Sequence, residues 1–163
     1  MKKSEFLCIS GNWDNHKNLL WPSLELTSHL GLPVLELGSG MGSTAYLRQY
    51  CKDAGLEFFS YDNNKDYADP NGSILVEDWA NIPWRKDWGV VLVDHAPGEH
   101  RRIALQLLHH AKIVVAHDTE PAADHGYQMR SVLKDYKYMI DWESEGAWAT
   151  AVSDHLNLNQ LLA

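Results

Sequence analysis

The residues best suited to chemistry lie in one glycine-rich segment. Residues 33–44 read PVLELGSGMGST, an apolar run followed by three glycines at alternate positions. Glycine lets the backbone take tight or left-handed turns, and it lets a ligand lie against bare main chain. Glu36 stands two residues before the first glycine, where a carboxylate can reach the ligand. The residues of this predicted ligand-binding loop are Gly38, Ser39, Gly40, Gly42 and Ser43.

The spacing of this segment separates two families of nucleotide-binding proteins. The dinucleotide fingerprint G-x-G-x-x-G requires a glycine at position 43, where this chain has Ser43. The pattern E-x-G-x-G-x-G, from Glu36 to Gly42, instead resembles the first motif of class I S-adenosylmethionine (SAM) dependent methyltransferases. The resemblance implies that SAM is the cofactor and that Glu36 and the glycine loop contact it. The alternative is a loop that only connects a strand tightly to a helix.

Acidic residues follow the next two predicted strands. Asp62 lies 20 residues beyond Gly42, and the resemblance implies that its carboxylate accepts hydrogen bonds from the ribose hydroxyls of SAM. NAD-binding proteins use an acid at a similar spacing, so Asp62 alone does not separate the two families. The pair Asp78-Trp79 suits adenine, with the carboxylate accepting from the exocyclic amine and the ring in apolar contact. A turn at Asp62 and a solvated carboxylate at Asp78 are the alternatives.

Aspartates and histidines end the two strands that come next. Asp94-His95 follows the fourth predicted strand, and His117-Asp118 follows the fifth. Because ligands of open α/β sheets bind beyond the carboxyl ends of the strands, we expect these residues to lie beside the cofactor. Titratable groups collected at such an edge are typical of an active site, and histidine is a natural general base. The predicted catalytic residues are Asp94, His95 and His117.

The same strand ends could hold a divalent cation. Asp94 and Asp118 resemble the carboxylates that bind Mg²⁺ in catechol-type and related sugar O-methyltransferases, and hard cations prefer carboxylate oxygens. The catechol-type pattern has Asp-Asn at the fifth strand, whereas Asp118 is followed by Thr119 here. The His-Asp pair is closer to the one in glycan- and sugar-modifying relatives. Capping of a loop or helix by either aspartate is the alternative.

Three basic residues have an ambiguous sequence context. His16 either closes over the cofactor or starts the first helix, and we favour the helix start. Arg101 and Arg102 either bind an anionic acceptor or form a solvated helix start, and we again favour the helix start.

Apolar runs and helical spacing predict the elements that position these residues. The predicted strands are 34–37, 56–61, 73–76, 89–93, 112–116, 138–142 and 147–152. The predicted helices are 17–29, 43–54, 99–111 and 127–136, and the third is expected to bury Ile103, Ala104, Leu107, Leu108 and Ala111. Strands that alternate with helices predict a parallel sheet with helices on both faces. The last two strands are so close in sequence that they can pair only antiparallel.

The predicted fold class is α/β, a Rossmann-like class I methyltransferase fold with a mostly parallel seven-stranded sheet and an antiparallel last strand. Residues 1–163 are expected to form one SAM-binding domain, which is a length that can bury a substantial core. Within it, residues 1–32 are a helical lead-in and residues 33–155 are the Rossmann-like core.

Composition sets the expected partners and compartment. The formal net charge is −8, and phosphate backbones attract clustered Lys and Arg, so we expect a small-molecule or glycan acceptor and no nucleic acid. No stretch approaches the ~20 apolar residues of a membrane span. Cys8 and Cys51 are the only cysteines, which fits a reducing compartment. We therefore expect a cytoplasmic protein without a membrane partner, and its oligomeric state is left open.

Three functional hypotheses follow from these patterns. The first is SAM-dependent O-methylation of a small hydroxylated or carbohydrate acceptor, with or without help from a divalent cation such as Mg²⁺. The second is a SAM-binding module that needs a partner for substrate recognition, because the chain has little room for an inserted substrate-binding cap. The third is a nicotinamide-dependent oxidoreductase, against which Ser43 and the antiparallel ending argue.

Overall fold

The computed structural model describes Glu5 and residues 16–40, 42–144 and 146–162. Residues 1–4 and 6–15 of the predicted lead-in, Cys8 among them, therefore lie outside the described residues. That the chain forms one domain with its core at 33–155 stays a prediction.

Seven strands form one sheet. The strands are β1 Val34–Leu37, β2 Phe58–Asp62, β3 Ile74–Leu75, β4 Val90–Val93, β5 Ile113–His117, β6 Tyr138–Trp142 and β7 Ala149–Ser153. Their order across the sheet is β3-β2-β1-β4-β5-β7-β6. β7 pairs antiparallel with both β5 and β6, whereas the pairs among β1 to β5 are parallel. The predicted mostly parallel seven-stranded sheet with an antiparallel last strand is confirmed.

Helices cover both faces of the sheet. The α-helices are α1 Lys17–Thr27, α2 Ser43–Ala54, α3 Lys65–Asn71, α4 Arg101–Leu107, α5 Pro121–Tyr127 and α6 Met129–Leu133. Short 3₁₀ helices occupy Ser28–Leu30, Trp79–Asn81, Gly98–His100 and Leu158–Leu162. No helix among the described ranges is long and apolar enough to cross a bilayer.

The core is divided by the sheet into two apolar clusters. Val91 and Val93 of β4 belong to the cluster under α4 and α6, while Val90 and Leu92 belong to the cluster under α1 and α2. Neighbouring strand residues point to opposite faces, so a strand buried on both sides must be apolar at every position. This burial holds the strand in place, and the carboxyl ends of the parallel strands β1 to β5 present loops at one edge.

Two predicted helices differ from the structure. α1 contains Pro22 and ends at Thr27 instead of the predicted residue 29, where the 3₁₀ helix Ser28–Leu30 has taken over. In α4 the buried face contains Arg101, Ala104 and Leu105, whereas Ile103 and Leu107 are about half exposed, contrary to the prediction. The predicted burial is confirmed for Ala104, Leu108 and Ala111 and is wrong for Ile103 and Leu107. Arg101 turns inward because it is ion-paired there.

Candidate functional site

Gly38 lets the glycine loop pack directly against the end of β4. Its φ of +89° lies in the left-handed region, and a Cβ atom there would lie 2.5 Å from the carbonyl oxygen of Asp94. Its backbone N–H donates to the carbonyl of Tyr61 at 2.9 Å. Only glycine fits such a close approach between two backbones. The residue therefore joins the ends of β1, β2 and β4 into one edge.

Asp62 fastens the glycine loop to the end of β2. Its Oδ2 accepts hydrogen bonds from the backbone N–H of Ser39 at 2.7 Å and from Ser39 Oγ at 3.2 Å. Its Oδ1 accepts from the backbone N–H of Asn64 at 2.7 Å. Each carboxylate oxygen has a second lone pair, so Asp62 can also accept from a ligand in the adjoining cavity.

Glu36 lies behind the glycine loop and is fully buried. Its carboxylate accepts hydrogen bonds from Ser43 Oγ at 2.5 Å and from Ser60 Oγ at 2.6 Å. Burial raises the pKa of Glu36 to about 7, although hydrogen bonds from the two serines lower it in part. The side chain does not line the cavity described below, so within the structure it positions the start of α2.

The raised pKa of Glu36 predicts a pH-dependent stability. Between the ordinary pKa of 4.5 and the folded value of about 7, the folded chain keeps a proton that the unfolded chain releases. Glu36 should therefore lower the free energy of unfolding by about 3 kcal/mol as the pH rises across this window, while His16 and His95, whose pKa values burial lowers, act in the opposite direction. Glu36→Gln should remove the Glu36 contribution alone, so the variant should gain stability relative to the wild type between pH 5 and pH 8. Denaturant titrations of both proteins at pH 5 and pH 8 measure it, and parallel pH curves would contradict the prediction.

A cavity of about 300 Å³ opens at this edge of the sheet. That volume is at the lower end of the range for small-molecule sites. The glycine loop, Asp62 and Asp94 all line it. Its lining residues are His16, Gly38, Ser39, Gly40, Gly42, Ser43, Asp62, Asn63, Asn64, Tyr67, Asp94 and Ala96.

Arg101 ties the ends of β4 and β5 together. Its side chain is 6% exposed, and it donates to the carbonyl oxygens of His95 at 2.8 Å, Asp94 at 3.1 Å and His117 at 3.2 Å. It also forms ion pairs with Asp94 at 3.1 Å and Asp118 at 2.8 Å. The guanidinium therefore stands beside both carboxylates for which the sequence predicted Mg²⁺. The prediction of a solvated helix start at Arg101 is wrong.

His117 lies between the same two carboxylates. Its Nδ1 is 3.2 Å from Asp94 Oδ1 and 3.3 Å from Asp118 Oδ1. Burial opposes the charged ring, but the hydrogen bond and charge of Asp94 outweigh burial and raise the pKa of His117. Burial likewise acts against the charged form of Asp94, yet His117 and Arg101 lower its pKa. Asp118 reaches this place through a left-handed backbone with φ of +56°, a region that aspartate tolerates better than most residues.

His16 packs against His117 and lines the cavity. The two rings meet edge to face with centroids 5.0 Å apart. His16 is 4% exposed, and its Nδ1 is buried without a hydrogen-bond partner among the described residues. Burial, followed by the charge of His117, lowers the pKa of His16 to about 4. The residue precedes α1, as favoured from the sequence, and it also lines the cavity.

His95 points away from the cavity, into the other side of the loop after β4. Its ring packs on Trp79 at 4.4 Å between centroids, and its Nδ1 is buried without a hydrogen-bond partner among the described residues. Burial and the charge of Arg101 lower its pKa to about 3. Successive residues of the loop thus face opposite sides, so Asp94 and His95 do not meet one ligand in the same cavity.

Asp78 and Trp79 line a second, smaller cavity of about 250 Å³ together with His95. Asp78 caps a 3₁₀ helix by accepting from the backbone N–H of Ala80 at 2.9 Å. Trp79 Nε1 donates to the carbonyl of Ala96 at 3.1 Å, which holds the wall between the two cavities. The adenine contacts predicted for Asp78 and Trp79 stay predictions.

The structure brings most of the predicted site residues to one place. Gly38, Ser39, Gly40, Gly42, Ser43, Asp62 and Asp94 line the first cavity, with His117 and Asp118 directly behind Asp94. His16 and Arg101 belong to this site, although the sequence favoured a helix start for each. Arg101 could have been found from the two aspartates at neighbouring strand ends, because a pair of nearby carboxylates needs a cation beside it.

No protein-family profile matches the sequence, and no curated protein sequence matches it. Solved structures do match. The delta-N METTL16 MTase domain has a TM-score of 0.56 at 12% identity, with 90% of this chain and 85% of that chain covered. A human methyltransferase 10 domain containing protein has a TM-score of 0.50 at 14% identity, with 90% and 85% covered.

A third match is the T. thermophilus 16S rRNA methyltransferase RsmC in complex with AdoMet and guanosine. Its TM-score is 0.50 at 11% identity, with 84% of this chain and 40% of RsmC covered. The predicted class I SAM-dependent methyltransferase fold is confirmed.

The prediction that excluded nucleic acid and expected a glycan acceptor is wrong. A protein with this fold, RsmC, acts on 16S rRNA. The exclusion rested on a net charge of −8, which is a sum over the whole chain. Such a sum does not describe how charge is distributed at the edge of the sheet where a substrate would bind.

Proposed function

We propose that this chain is a methyltransferase that binds SAM in the first cavity and methylates an acceptor at the mouth of that cavity. One observation carries the proposal. The glycine loop, Asp62 and Asp94 converge on a single cavity at the carboxyl edge of a sheet with the class I methyltransferase fold. Ligands of open α/β sheets bind at this edge.

The proposed roles follow from the contacts around the cavity. The methionine part of SAM lies against the bare backbone at Gly38 and Gly40, and Asp62 accepts hydrogen bonds from the ribose hydroxyls. Glu36 acts indirectly, because it holds Ser43 at the start of α2. Trp79 also acts indirectly in this proposal, since its hydrogen bond to the Ala96 carbonyl supports the cavity wall.

Methyl transfer needs alignment and loss of a proton. The acceptor heteroatom attacks the methyl carbon in line with the sulfonium, the carbon–sulfur bond breaks, and S-adenosylhomocysteine leaves as a neutral thioether. Much of the rate enhancement comes from this alignment. The acceptor's proton is lost on the side of the cavity that His16 and Asp94 line, with His117 behind Asp94. His95 has no part in this step, because it faces the second cavity.

The proposed acceptor is a nucleoside, with RNA as the first candidate. The support is the likeness to RsmC, which was solved with AdoMet and guanosine. Guanosine, a mixed RNA and a simple phenol should be incubated in parallel with tritiated SAM and the purified chain. Label in guanosine or RNA supports the nucleoside, whereas label in the phenol alone returns the function to O-methylation of a small hydroxylated acceptor.

Loss of the Asp62 carboxylate should weaken SAM binding. Asp62→Ala removes the acceptor for the ribose and also for the Ser39 N–H, so we expect the Kd for SAM to rise by about 10–100-fold. Isothermal titration calorimetry measures the change. Asp66→Ala, an exposed aspartate four residues further on, is the matched control and should leave the Kd unchanged. Equal Kd values for the two variants would contradict the role of Asp62.

A SAM-binding module that requires a partner is the second candidate. The observation in its favour is the coverage of RsmC, of which this chain matches 40%. SAM binding without methylation of any acceptor by the chain alone would support it.

We also propose that the protein is cytoplasmic, because its two cysteines fit a reducing compartment.

A further inference from the structure

We propose that His16, Asp94 and His117 bind one divalent transition-metal ion at the acceptor end of the cofactor cavity. The role of the ion rests on the proposed function, whereas its binding does not. Each of the three residues offers one donor atom, and these atoms lie within 4.8 Å of one another. His16 and Asp94 both line the cavity, so an ion held there would be open to a ligand.

The separations are close to those of a bound ion. Metal–ligand bonds of about 2.1 Å in a tetrahedral site place neighbouring donors about 3.4 Å apart. His117 Nδ1 and Asp94 Oδ1 already stand 3.2 Å apart. The three donor atoms lie within 4.8 Å of one another, so a rotation of the His16 ring that moves its donor by roughly 1 Å would complete the geometry.

The buried nitrogen of His16 gives independent support for a metal site. Its Nδ1 is shielded from solvent and has no hydrogen-bond partner among the described residues, and the side chain makes no capping hydrogen bond to α1. Buried polar atoms without partners are rare because each costs free energy. A ligand bond to an ion would give this nitrogen the partner that the described chain does not offer.

Charge and donor type select the class of ion. Asp94 and Asp118 are two carboxylates that share Arg101 and His117 as partners. When His117 is neutral, as a metal ligand must be, one negative charge remains beside Arg101 and favours a cation. Two imidazole nitrogens and one carboxylate suit Zn²⁺, Co²⁺, Ni²⁺ or Fe²⁺, whereas Mg²⁺ prefers a shell of oxygen ligands. The site therefore differs from the carboxylate pair for which the sequence predicted Mg²⁺.

Three protein ligands leave at least one coordination position free. An acceptor heteroatom that takes this position becomes more acidic, loses its proton to solvent and then forms the new bond to the methyl carbon. The ion needs no change of oxidation state for this role. His16 and His117 would then act as ligands in the methyl-transfer step.

Cobalt titration tests the site directly. The full chain, freed of its affinity tag and treated with a chelator, is titrated with Co²⁺ alone while the visible d–d absorption is followed. We expect one equivalent to bind with nitrogen-type bands, and millimolar Mg²⁺ not to displace it. His16→Ala should weaken Co²⁺ binding by about 10–100-fold or more, because even the loss of an outer-shell partner costs that much. His29→Ala, an exposed histidine after α1, is the matched control.

A substitute variant and a SAM titration complete the test. If His16→Ala does not fold by circular dichroism, His16→Gln keeps the size and polarity and takes its place. No Co²⁺ bands in the wild-type chain, or equal affinity in the His16 and His29 variants, overturns the metal site. SAM titration of the same metal-free samples separates the two proposals. SAM binding without Co²⁺ binding leaves the proposed function intact, and Co²⁺ binding without SAM binding leaves the site intact.

Discussion

Gly38→Ala should lower the free energy of unfolding by at least about 3 kcal/mol and abolish SAM binding. The added methyl would lie 2.5 Å from the Asp94 carbonyl oxygen and 2.6 Å from the backbone nitrogen of His95. Neither atom belongs to a flexible side chain, so relief requires β1 and β4 to move apart at the carboxyl edge. That movement would displace both the glycine loop and Asp94, which together line the cofactor cavity.

Gly55→Ala is the matched control for this substitution. Gly55 also has a left-handed backbone, with φ of +68°, but nothing lies within 4 Å of its missing Cβ. It should cost only the backbone strain, about 1–2 kcal/mol, and leave the Kd for SAM unchanged. Denaturant titration and calorimetry with SAM measure both effects. Similar losses in the two variants would mean that strain alone explains Gly38 and that the close approach contributes nothing.

Local signals explain why much of the fold could be predicted from the sequence. The predicted ends of β1, α2 and β6 match the structure, at 34–37, 43–54 and 138–142. For α2 the reason is clear, since Gly42 precedes it and Gly55 ends it in the left-handed conformation typical of helix ends. The continuous apolar run of β4 has an equally local cause, because both its faces are covered.

One helix of the structure is not among the predicted helices. α3 spans Lys65–Asn71, a segment that contains Pro70 and is followed by Gly72, which are residues typical of turns. Its start is set by Asn64, which accepts from the backbone N–H of Asp66. The helix then ends at Gly72, at φ of +61°. The turn signal marked the end of a short helix.

In the candidate site, too, local spacing determines which residues could be predicted from the sequence. The glycine loop and Asp62 could be predicted because their spacing within the chain determines their separation in a βαβ unit. His16 could not be assigned with the same reasoning, because it meets His117 across about a hundred residues of sequence. The direction of His95 depends on how the loop after β4 alternates, which no periodicity in the sequence indicates.

Arg101→Met should destabilise the chain by about 3 kcal/mol, because it leaves the partly buried carboxylates of Asp94 and Asp118 without the buried guanidinium that they share. It also removes the donors to three backbone carbonyls. Arg101→Lys keeps the charge but cannot reproduce the planar fork, so we expect an intermediate loss. Denaturant titration of each variant in chelator-containing buffer measures the free energy of unfolding.

Arg102→Met is the matched control for Arg101, since it removes a neighbouring arginine with one exposed hydrogen bond, to Gln128. We expect a loss below about 1 kcal/mol there, as for other exposed polar contacts. If Arg101→Met and Arg102→Met cost the same, the ion pairs at the ends of β4 and β5 contribute little. If Arg101→Lys matches the wild type, charge alone holds the two strand ends and the fork geometry is dispensable. A graded loss from lysine to methionine is the expected result, because both the charge and the backbone hydrogen bonds of Arg101 join Asp94 to Asp118.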